Sequence, residues 1–204
     1  MGYPTLAQSE AAVDDLVAGG VDIVELGVPF SDPFADGAVI RSAAYEALKQ
    51  GVVFTYYNLI FSKGLEAFAQ AAADAGIDAV LSVDLPLEER DELLDVLRPH
   101  GLTVVPLIAP NTPLERVVAS AAGLDDTFLY IITVKGTTGA RTELPADLTV
   151  RLDAIRAAVK IPIAAGFGIS TRAQAEVVSR HADGFVVGSA LVKRLGAEGS
   201  LKGP

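Results

Sequence analysis

The 204-residue sequence has no cysteine and only two histidines. Without cysteine the chain forms neither disulfides nor thiolate metal sites, which agrees with a cytoplasmic location. The histidines, His100 and His181, each fall near the end of a predicted helix, where capping or solvent exposure is commoner than catalysis. A hydrolytic triad and a histidine-rich metal site are therefore disfavoured.

Basic residues and long apolar runs are also scarce. The chain has 16 basic against 26 acidic residues, a net charge of -10, so it lacks the cations that neutralise a nucleic-acid backbone. The apolar run at 128–133 is far too short to span a bilayer, and the first residues lack the basic and apolar regions of a signal peptide. We expect neither a nucleic-acid partner nor a membrane partner.

What the sequence does contain is a regular alternation of apolar runs rich in β-branched residues and amphipathic stretches. The runs predict seven strands, at 23–26, 52–57, 79–83, 103–107, 128–133, 161–165 and 184–187. The stretches predict helices near 6–18, 38–50, 65–75, 87–98, 113–122, 148–159 and 171–179. Helix signals agree, because Thr5 and Gln8 form a capping-box pattern and Gly76 and Gly101 stand just past helix ends.

Alternating strands and helices predict parallel pairing with right-handed crossovers. No Pro/Ser-rich linker interrupts the chain, so residues 1–204 are expected to form one domain. About seven parallel strands fit an incomplete β/α barrel of the eight-stranded TIM type. An open doubly wound sheet is the alternative, although the first strand is followed by Val28-Pro-Phe-Ser-Asp rather than by a Gly-rich dinucleotide loop.

Glu25 is the first candidate for chemistry. Strand alternation places Val24 and Leu26 on the helix-covered face, so Glu25 should point into the barrel near the carboxyl end of its strand. Active sites of such barrels lie at that end, and a carboxylate buried there is a proton-transfer candidate with a raised pKa. The structural alternative is a glutamate at a frayed strand end, facing water.

A second carboxylate and two glycine pairs follow. Asp36, in the loop after the same strand, is either a partner in acid–base chemistry or the N-cap of the next helix. Gly166-Phe-Gly-Ile-Ser and Gly188-Ser-Ala follow the last two predicted strands, where this architecture often grips phosphate. Each pair could instead form a tight turn with no ligand.

The segment from Glu25 to Gly37, with the sequence ELGVPFSDPFADG, resembles the signature of tryptophan synthase alpha subunits at essentially every position. Further motifs of that family agree in order along nearly the whole chain. They are FTYYN at 54–58, SVDLP at 82–86, Tyr130 followed by KGTTG at 135–139, GFGIS at 166–170 and GSA at 188–190.

The resemblance implies a lyase of tryptophan biosynthesis that splits indole-3-glycerol phosphate into indole and glyceraldehyde 3-phosphate by a retro-aldol reaction. It implies no metal and no organic cofactor, because the protonated indole ring takes up the electrons. It also implies a tryptophan synthase beta subunit as partner in an α2β2 assembly. The Asp32-Pro33 loop and the Thr138 loop would face that partner.

The resemblance assigns roles as well. Glu25 matches the glutamate that shuttles protons at indole C3 and the glycerol hydroxyl, Asp36 matches the aspartate that meets the indole N–H, and Tyr130 matches an active-site tyrosine. Thr138 matches a threonine on a loop that closes over the substrate. The phosphate-binding positions match Gly139, Phe167, Gly168, Gly188 and Ser189. Tyr56 and Asn58 match positions near the indole and the partner interface, although packing and turn formation explain them equally well, and Asp84 and Pro86 could simply form a turn.

The sequence departs from the family pattern in three places. It is expected to lack the first barrel strand, a helix between Gly51 and Val52, and the final helix. An alternative function is therefore a catalytically impaired barrel that still binds phosphate or the beta subunit. Another phosphate-binding barrel enzyme, such as an epimerase or isomerase, is disfavoured because its usual histidines and metal-binding carboxylates are missing.

Overall fold

The computed structural model describes residues 4–28, 51–133, 145, 147–166 and 168–201. Its helices and short parallel strands form two compact units, one of Met1–Val104 with Arg194–Pro204 and the other of Val105–Lys193. Each unit contains a four-stranded parallel sheet.

In the first unit the strands pair in chain order, β1-β2-β3-β4. Its elements are α1 (Leu6–Ala18), β1 (Val24–Gly27), β2 (Gly51–Thr55), α2 (Tyr57–Lys63), α3 (Leu65–Asp74), β3 (Ala79–Ser82), α4 (Leu87–Leu97), a 3-10 turn (Arg98–His100) and β4 (Thr103–Val104). Both faces of β2 and β3 are largely buried, as parallel sheets require.

In the second unit the strand order is β5-β6-β7-β8. Its elements are β5 (Leu107–Ile108), α5 (Leu114–Ala121), β6 (Leu129–Ile132), α6 (Leu148–Ala158), β7 (Ile163–Gly166), α7 (Arg172–Val178), β8 (Gly184–Phe185) and the start of α8 (Ser189–Glu198). Leu129, Ile131, Leu152, Ile155 and Ile163 are almost fully buried and form much of its core.

The same aspartate device fixes the amino end of one strand in each unit. Asp78, just before β3, donates its N–H to the carbonyl of Gly51 at 2.9 Å, and its carboxylate accepts the Gly51 N–H at 2.5 Å. Asp183, just before β8, forms the same pair of bonds with Ile163, at 2.9 and 3.0 Å. Gly51 is the first residue of β2 and Ile163 the first of β7. Each carboxylate therefore accepts the first N–H group of a strand, a donor that must be paired when it is buried.

The predicted strand at 103–107 is wrong as a single element, and the described residues therefore contain eight strands where seven were predicted. The structure has β4 at Thr103–Val104, paired with β3, and β5 at Leu107–Ile108, paired with β6. Between them, Pro106 has no N–H to donate to a ladder, although its carbonyl accepts from the Tyr130 N–H at 2.9 Å. The two ends of the predicted strand thus pair in two different sheets.

The predicted strand at 52–57 ends early. It stops at Thr55, and Tyr57 already begins α2. The period of the short apolar run Tyr-Tyr-Asn-Leu-Ile-Phe does not distinguish a helix from a strand, so this helix was not predicted. The other predicted helices are confirmed to within two residues, except the one at 38–50, which lies outside the described residues.

Helix caps also agree in part with the sequence. The Thr5 hydroxyl accepts the Gln8 N–H at 3.3 Å, but the Gln8 side chain meets the Thr5 hydroxyl rather than its N–H, so only half of the capping box is present. A complete box forms at Thr171 and Gln174, where the sequence analysis did not predict one. Within the described part of the chain, no helix has both the length and the apolar character needed to cross a membrane.

The two histidines have structural surroundings. His100 lies 2.9 Å from a Glu66 carboxylate oxygen, and His181 lies 2.8 Å from one of Asp153. Each contact joins a histidine at or just past a helix end to a carboxylate on another helix, and helix capping by these histidines stays a prediction.

Candidate active site

Glu25 is the second residue of β1, and the structure confirms the predicted strand alternation. Val24 and Leu26, on either side of it, are each 5% exposed, while Glu25 is partly buried. In register, Glu25 aligns with Val52 of β2, which in turn aligns with Ala79 of β3. Since aligned residues of parallel strands point to the same face, the carboxylate stands in an apolar row.

Burial makes Glu25 a weaker acid than an ordinary glutamate. Burial raises the pKa of Glu25 from 4.5 to about 7, because desolvation penalises the charged form. A carboxyl group with a pKa near neutrality can both give and take a proton at physiological pH. Glu25 therefore has the property of a general acid–base catalyst.

Asp84 organises the neighbouring strand ends, a role that the sequence analysis missed. Its carboxylate accepts the Tyr57 N–H at 2.7 Å and the Ser82 hydroxyl at 3.0 Å. It thereby satisfies one unpaired donor at the start of α2 and fixes the entry of that helix beside the carboxyl end of β2. The sequence signals were its place in the SVDLP motif and just after a strand, and neither distinguishes this role from that of an ordinary turn residue.

Tyr56 is the N-cap of α2 and is 43% exposed. Its carbonyl accepts the Leu59 N–H at 3.1 Å, and its extended backbone leads directly from β2 into the helix. Thus Tyr56 lies at the carboxyl end of its strand, the end at which barrel enzymes bind their substrates.

Tyr130 lies on β6 and is 4% exposed. Its ring covers Gly166 at the end of β7, where an added Cβ would lie only 2.6 Å from Tyr130 Cε1. A larger residue at 166 would therefore force the buried Tyr130 ring to shift. The Tyr130 ring thus lies against the last residue of β7, at the carboxyl end of the second sheet.

The turn after β7 is built around two residues, Gly168 and Gln174. Gly168 has φ +90°, a conformation that favours glycine. The buried Gln174 side chain accepts the N–H groups of Ser170 and Thr171 at 2.9 and 3.1 Å. Those two N–H groups are thus already occupied within the turn.

The turn after β8 is more open. The Gly188 carbonyl accepts the Val192 N–H at 3.1 Å and so starts α8 at Ser189. A Cβ added at Gly188 would meet nothing within 4 Å, and both Gly188 and Ser189 are exposed. The residues at the start of this ten-residue helix are therefore accessible from outside.

Four predicted site residues lie outside the described residues: Asp36, Thr138, Gly139 and Phe167. Of the others, Glu25 and Tyr56 belong to the first unit, while Tyr130, Gly168, Gly188 and Ser189 belong to the second. In the described ranges, no group of three or more histidine, aspartate or glutamate side chains is arranged to hold a metal ion.

Parallel strands linked by helices, with a carboxyl group of raised pKa on one of the strands, are typical of a class: β/α-barrel enzymes that work by proton transfer. The family profile for the tryptophan synthase alpha chain matches this sequence over residues 1–55 and 51–202. The chain belongs to the tryptophan synthase alpha chain family. It is accordingly a carbon–carbon lyase of tryptophan biosynthesis with an incomplete barrel fold.

Curated relatives agree with this assignment. The tryptophan synthase alpha chain of Opitutus terrae is 41% identical over 212 residues, covering 94% of this chain and 79% of the relative. That of Geobacter sulfurreducens is 43% identical over 216 residues, covering 94% and 80%. That of Rippkaea orientalis is 41% identical over 221 residues, covering 98% and 82%.

Solved structures agree as well. Tryptophan synthase of Mycobacterium tuberculosis superposes with a TM-score of 0.84 at 33% identity, covering 96% of this chain and 82% of that one. The tryptophan synthase α2β2 complex of Pyrococcus furiosus gives 0.76 at 35% identity, covering 97% and 88%.

The comparisons also locate an internal difference from the relatives. The match to Rippkaea orientalis extends over 221 residues, more than the 204 of this chain, so that relative has internal residues without a counterpart here. The family profile matches in two segments that overlap at 51–55, where the sequence departs from the family pattern. Nevertheless β1 and β2 pair directly and in parallel, so the shortened connection still delivers β2 to its place.

Proposed function

We propose that this chain cleaves indole-3-glycerol phosphate and that Glu25 carries the protons. The observation that supports the proposal is the pKa of Glu25, raised to about 7 in an apolar row of the first sheet. A carboxyl group with an ordinary pKa would be almost fully ionised at neutral pH and would seldom have a proton to give.

Glu25 alone can both supply and recover the proton that the reaction needs. Protonated Glu25 gives its proton to indole C3, which turns the ring into a cationic electron sink. The resulting carboxylate takes the proton of the glycerol hydroxyl as the bond between C3 and the glycerol carbon breaks. Indole and the aldehyde of glyceraldehyde 3-phosphate are released, and Glu25 is again protonated.

We assign the remaining roles by their place in the fold and by the family match. Asp36 would accept the indole N–H, and Tyr130 would form a wall of the substrate site. Thr138 and Gly139 would belong to the loop that covers the substrate, with Tyr56 near the indole. The phosphate would bind at the turns containing Phe167 and Gly168 and containing Gly188 and Ser189. The open space at Gly188 supports this binding role.

Indole release by the isolated chain tests the proposal. Glu25→Gln should lower kcat by about 100-fold or more, because general acid–base groups typically contribute that much. Glu176→Gln is the matched control, since Glu176 is a half-exposed glutamate paired with Arg172 on α7, and it should leave kcat unchanged.

The pH profile gives a second reading. Since protonated Glu25 starts the cycle, kcat/KM should fall as the pH rises above about 7. Equal activity of Glu25→Gln and the unsubstituted chain would refute the role of Glu25. Binding of the substrate without any indole release would favour the alternative, an impaired barrel that retains its ligand.

We further propose a tryptophan synthase beta subunit as the partner, in an α2β2 assembly. The exposed aromatic side chains around α2 support this: Phe61 is 65% exposed, Tyr56 is 43% exposed, and the rings of Tyr57 and Phe61 lie 6.4 Å apart. Exposed aromatic groups of this kind often dominate protein–protein affinity.

Titration with a bacterial tryptophan synthase beta subunit tests the partner. Phe61→Ala should weaken binding by about 10-fold or more. Val150→Ala removes an apolar side chain that is 71% exposed in the other unit and should leave the affinity unchanged. Equal affinities of the two variants would contradict this use of α2.

That the whole chain is one domain also stays a proposal, supported by the absence of a linker-like segment. A single transition seen by far-UV and near-UV circular dichroism would agree with it, whereas two separate transitions would not. The cytoplasmic location likewise stays a prediction, which cell fractionation can test.

A further inference from the structure

Arg151 makes contacts that neither helix formation nor charge pairing explains. It is the fourth residue of α6, and its Nη2 donates to the carbonyls of Ala109 and Thr112 at 3.2 and 2.9 Å. Both carbonyls belong to the loop between β5 and α5. One guanidinium nitrogen thus bridges two points of a different βα unit.

The two carbonyls are the ends of a tight turn. The Thr112 N–H donates to the Ala109 carbonyl at 3.1 Å, closing a four-residue turn with Pro110 at its second position. Proline there fixes φ and favours such a turn. Arg151 spans the open side of the turn and joins its first and last residues.

The position of Arg151 is unfavourable in other respects. Its Nε is buried and has no hydrogen-bond partner in the structure as described, and no ion pair of Arg151 occurs among the described residues. A cation in the first turn of a helix also opposes the helix dipole. Groups that break local rules in this way are often retained for function.

The clamped turn lies next to the strand of Tyr130. Leu107 of β5 aligns with Tyr130 of β6, and the turn begins directly after Ile108. The turn therefore stands at the carboxyl end of the second sheet, on the β5 side of β6. The Tyr130 ring lies on the other side of β6, against Gly166 of β7. In a β/α barrel this end holds the substrate.

We propose that Arg151 is a positioning residue for the lyase reaction, and that it fixes the 109–112 turn as a wall of the substrate site beside Tyr130. This inference rests on the proposed function. Arg151 itself does not touch the substrate. Its loss should therefore weaken substrate binding and leave the chemical step almost unchanged.

The variants Arg151→Met and Arg151→Lys test this role, with Arg156→Met as the matched control. Arg156 lies on the same helix, but its guanidinium pairs with Asp183, at the amino end of β8, at 2.8 Å. Steady-state kinetics would give kcat and KM for indole-3-glycerol phosphate. Calorimetry in a Glu25→Gln background would give the Kd for the same substrate without turnover.

We expect Arg151→Met to raise both KM and Kd by about 10-fold, because two charge-assisted hydrogen bonds to the turn are lost. We expect kcat to change by less than about 2-fold, since no proton-transfer group is moved. Arg151→Lys keeps a charged nitrogen that can donate to both carbonyls but lacks the fixed planar geometry of the guanidinium, so it should raise KM by only about 3-fold. Arg156→Met should leave all three quantities unchanged.

Equal KM and Kd values for the Arg151 and Arg156 variants would overturn the inference, as would a loss of activity that only follows the unfolded fraction in a thermal melt. If Arg151→Met does not fold, Arg151→Lys decides, and an unchanged KM and Kd then overturn it. An unsubstituted chain without indole release, but with a Kd that Arg151→Met weakens, would refute the lyase proposal and support the positioning role. No substrate binding at all would refute both.

Discussion

The two sheets of this molecule are alike at their amino ends and different further along their strands. At the amino ends, Asp78 binds Gly51 in the first sheet, and Asp183 binds Ile163 in the second, each with one backbone bond and one carboxylate bond. The same aspartate arrangement occurs twice because each strand begins with an N–H group that needs an acceptor. A strand that begins beside a crossover has a first N–H with no partner.

Further along the strands, the first sheet has Glu25, the second residue of β1, whose pKa burial raises to about 7. The second sheet has glycines instead: Gly166 makes room for the Tyr130 ring, and Gly188 leaves open space before α8. The amino ends thus share one stabilising arrangement, whereas the rest of the two sheets differs: the first holds a partly buried carboxyl group of raised pKa, and the second has glycines at and beyond its carboxyl end.

The largest effect should come from adding a side chain at the position of the second sheet that the Tyr130 ring covers. Gly166→Ala places a Cβ against the Tyr130 ring, and we expect it to lower the free energy of unfolding by about 3 kcal/mol, because overpacking displaces a buried ring. Gly188→Ala is the control, since its Cβ meets nothing, and it should change stability by less than about 0.5 kcal/mol. Urea denaturation measures both; similar losses would show that Tyr130 does not require the glycine.

A second test concerns the carboxyl group of the first sheet. Because the pKa of Glu25 is higher in the folded chain, about 7 against 4.5, the folded state binds the proton more tightly, and stability should fall as the pH rises from about 4.5 to 7. Glu25→Gln removes that dependence. At pH 8 it should be more stable than the unsubstituted chain by about 2 kcal/mol, below the roughly 3 kcal/mol that the full pKa difference allows, since part of the side chain meets water.

Denaturation at pH 4 and pH 8 measures this difference. At pH 4 the two proteins should have nearly the same stability, since Glu25 is then protonated in both folded and unfolded states. A Glu25→Gln chain that is no more stable at pH 8 would contradict the apolar setting of Glu25.

The smallest effects should come from the repeated aspartates. Asp78→Ala and Asp183→Ala each leave a strand N–H without its partner and should each cost about 1–2 kcal/mol. Asp183→Ala should cost slightly more, by less than about 1 kcal/mol, because it also removes the Arg156 ion pair at 2.8 Å. Thermal unfolding of the two variants measures both; a clearly greater loss for Asp78→Ala would break the likeness between the two amino ends.

Most elements of the fold could be predicted, because hydrophobic period and helix signals act locally. The helix Leu6–Ala18 begins and ends where its Thr5 cap and apolar spacing place it. The helix Tyr57–Lys63 could not be predicted, because its start is stabilised by Asp84, which is 27 residues away in sequence. The division of the predicted strand at 103–107 likewise depends on pairing with distant strands, since β4 pairs with β3 and β5 pairs with β6.

The candidate site divides in the same way. The position of Glu25 on its strand and the glycines of the last two turns could be identified from the residues alone. The reason for Gly166, the occupation of the turn N–H groups by Gln174 and the clamp by Arg151 could not, since each involves a partner on another element.

The sequence by itself thus determined which residues can carry chemistry and the order of strands and helices, because residue type and period are properties of the chain. Only the tertiary structure decided how acidic Glu25 is and where Tyr130 rests. A pKa depends on the neighbours that exclude water, and those neighbours, Val52 and Ala79, come from other strands.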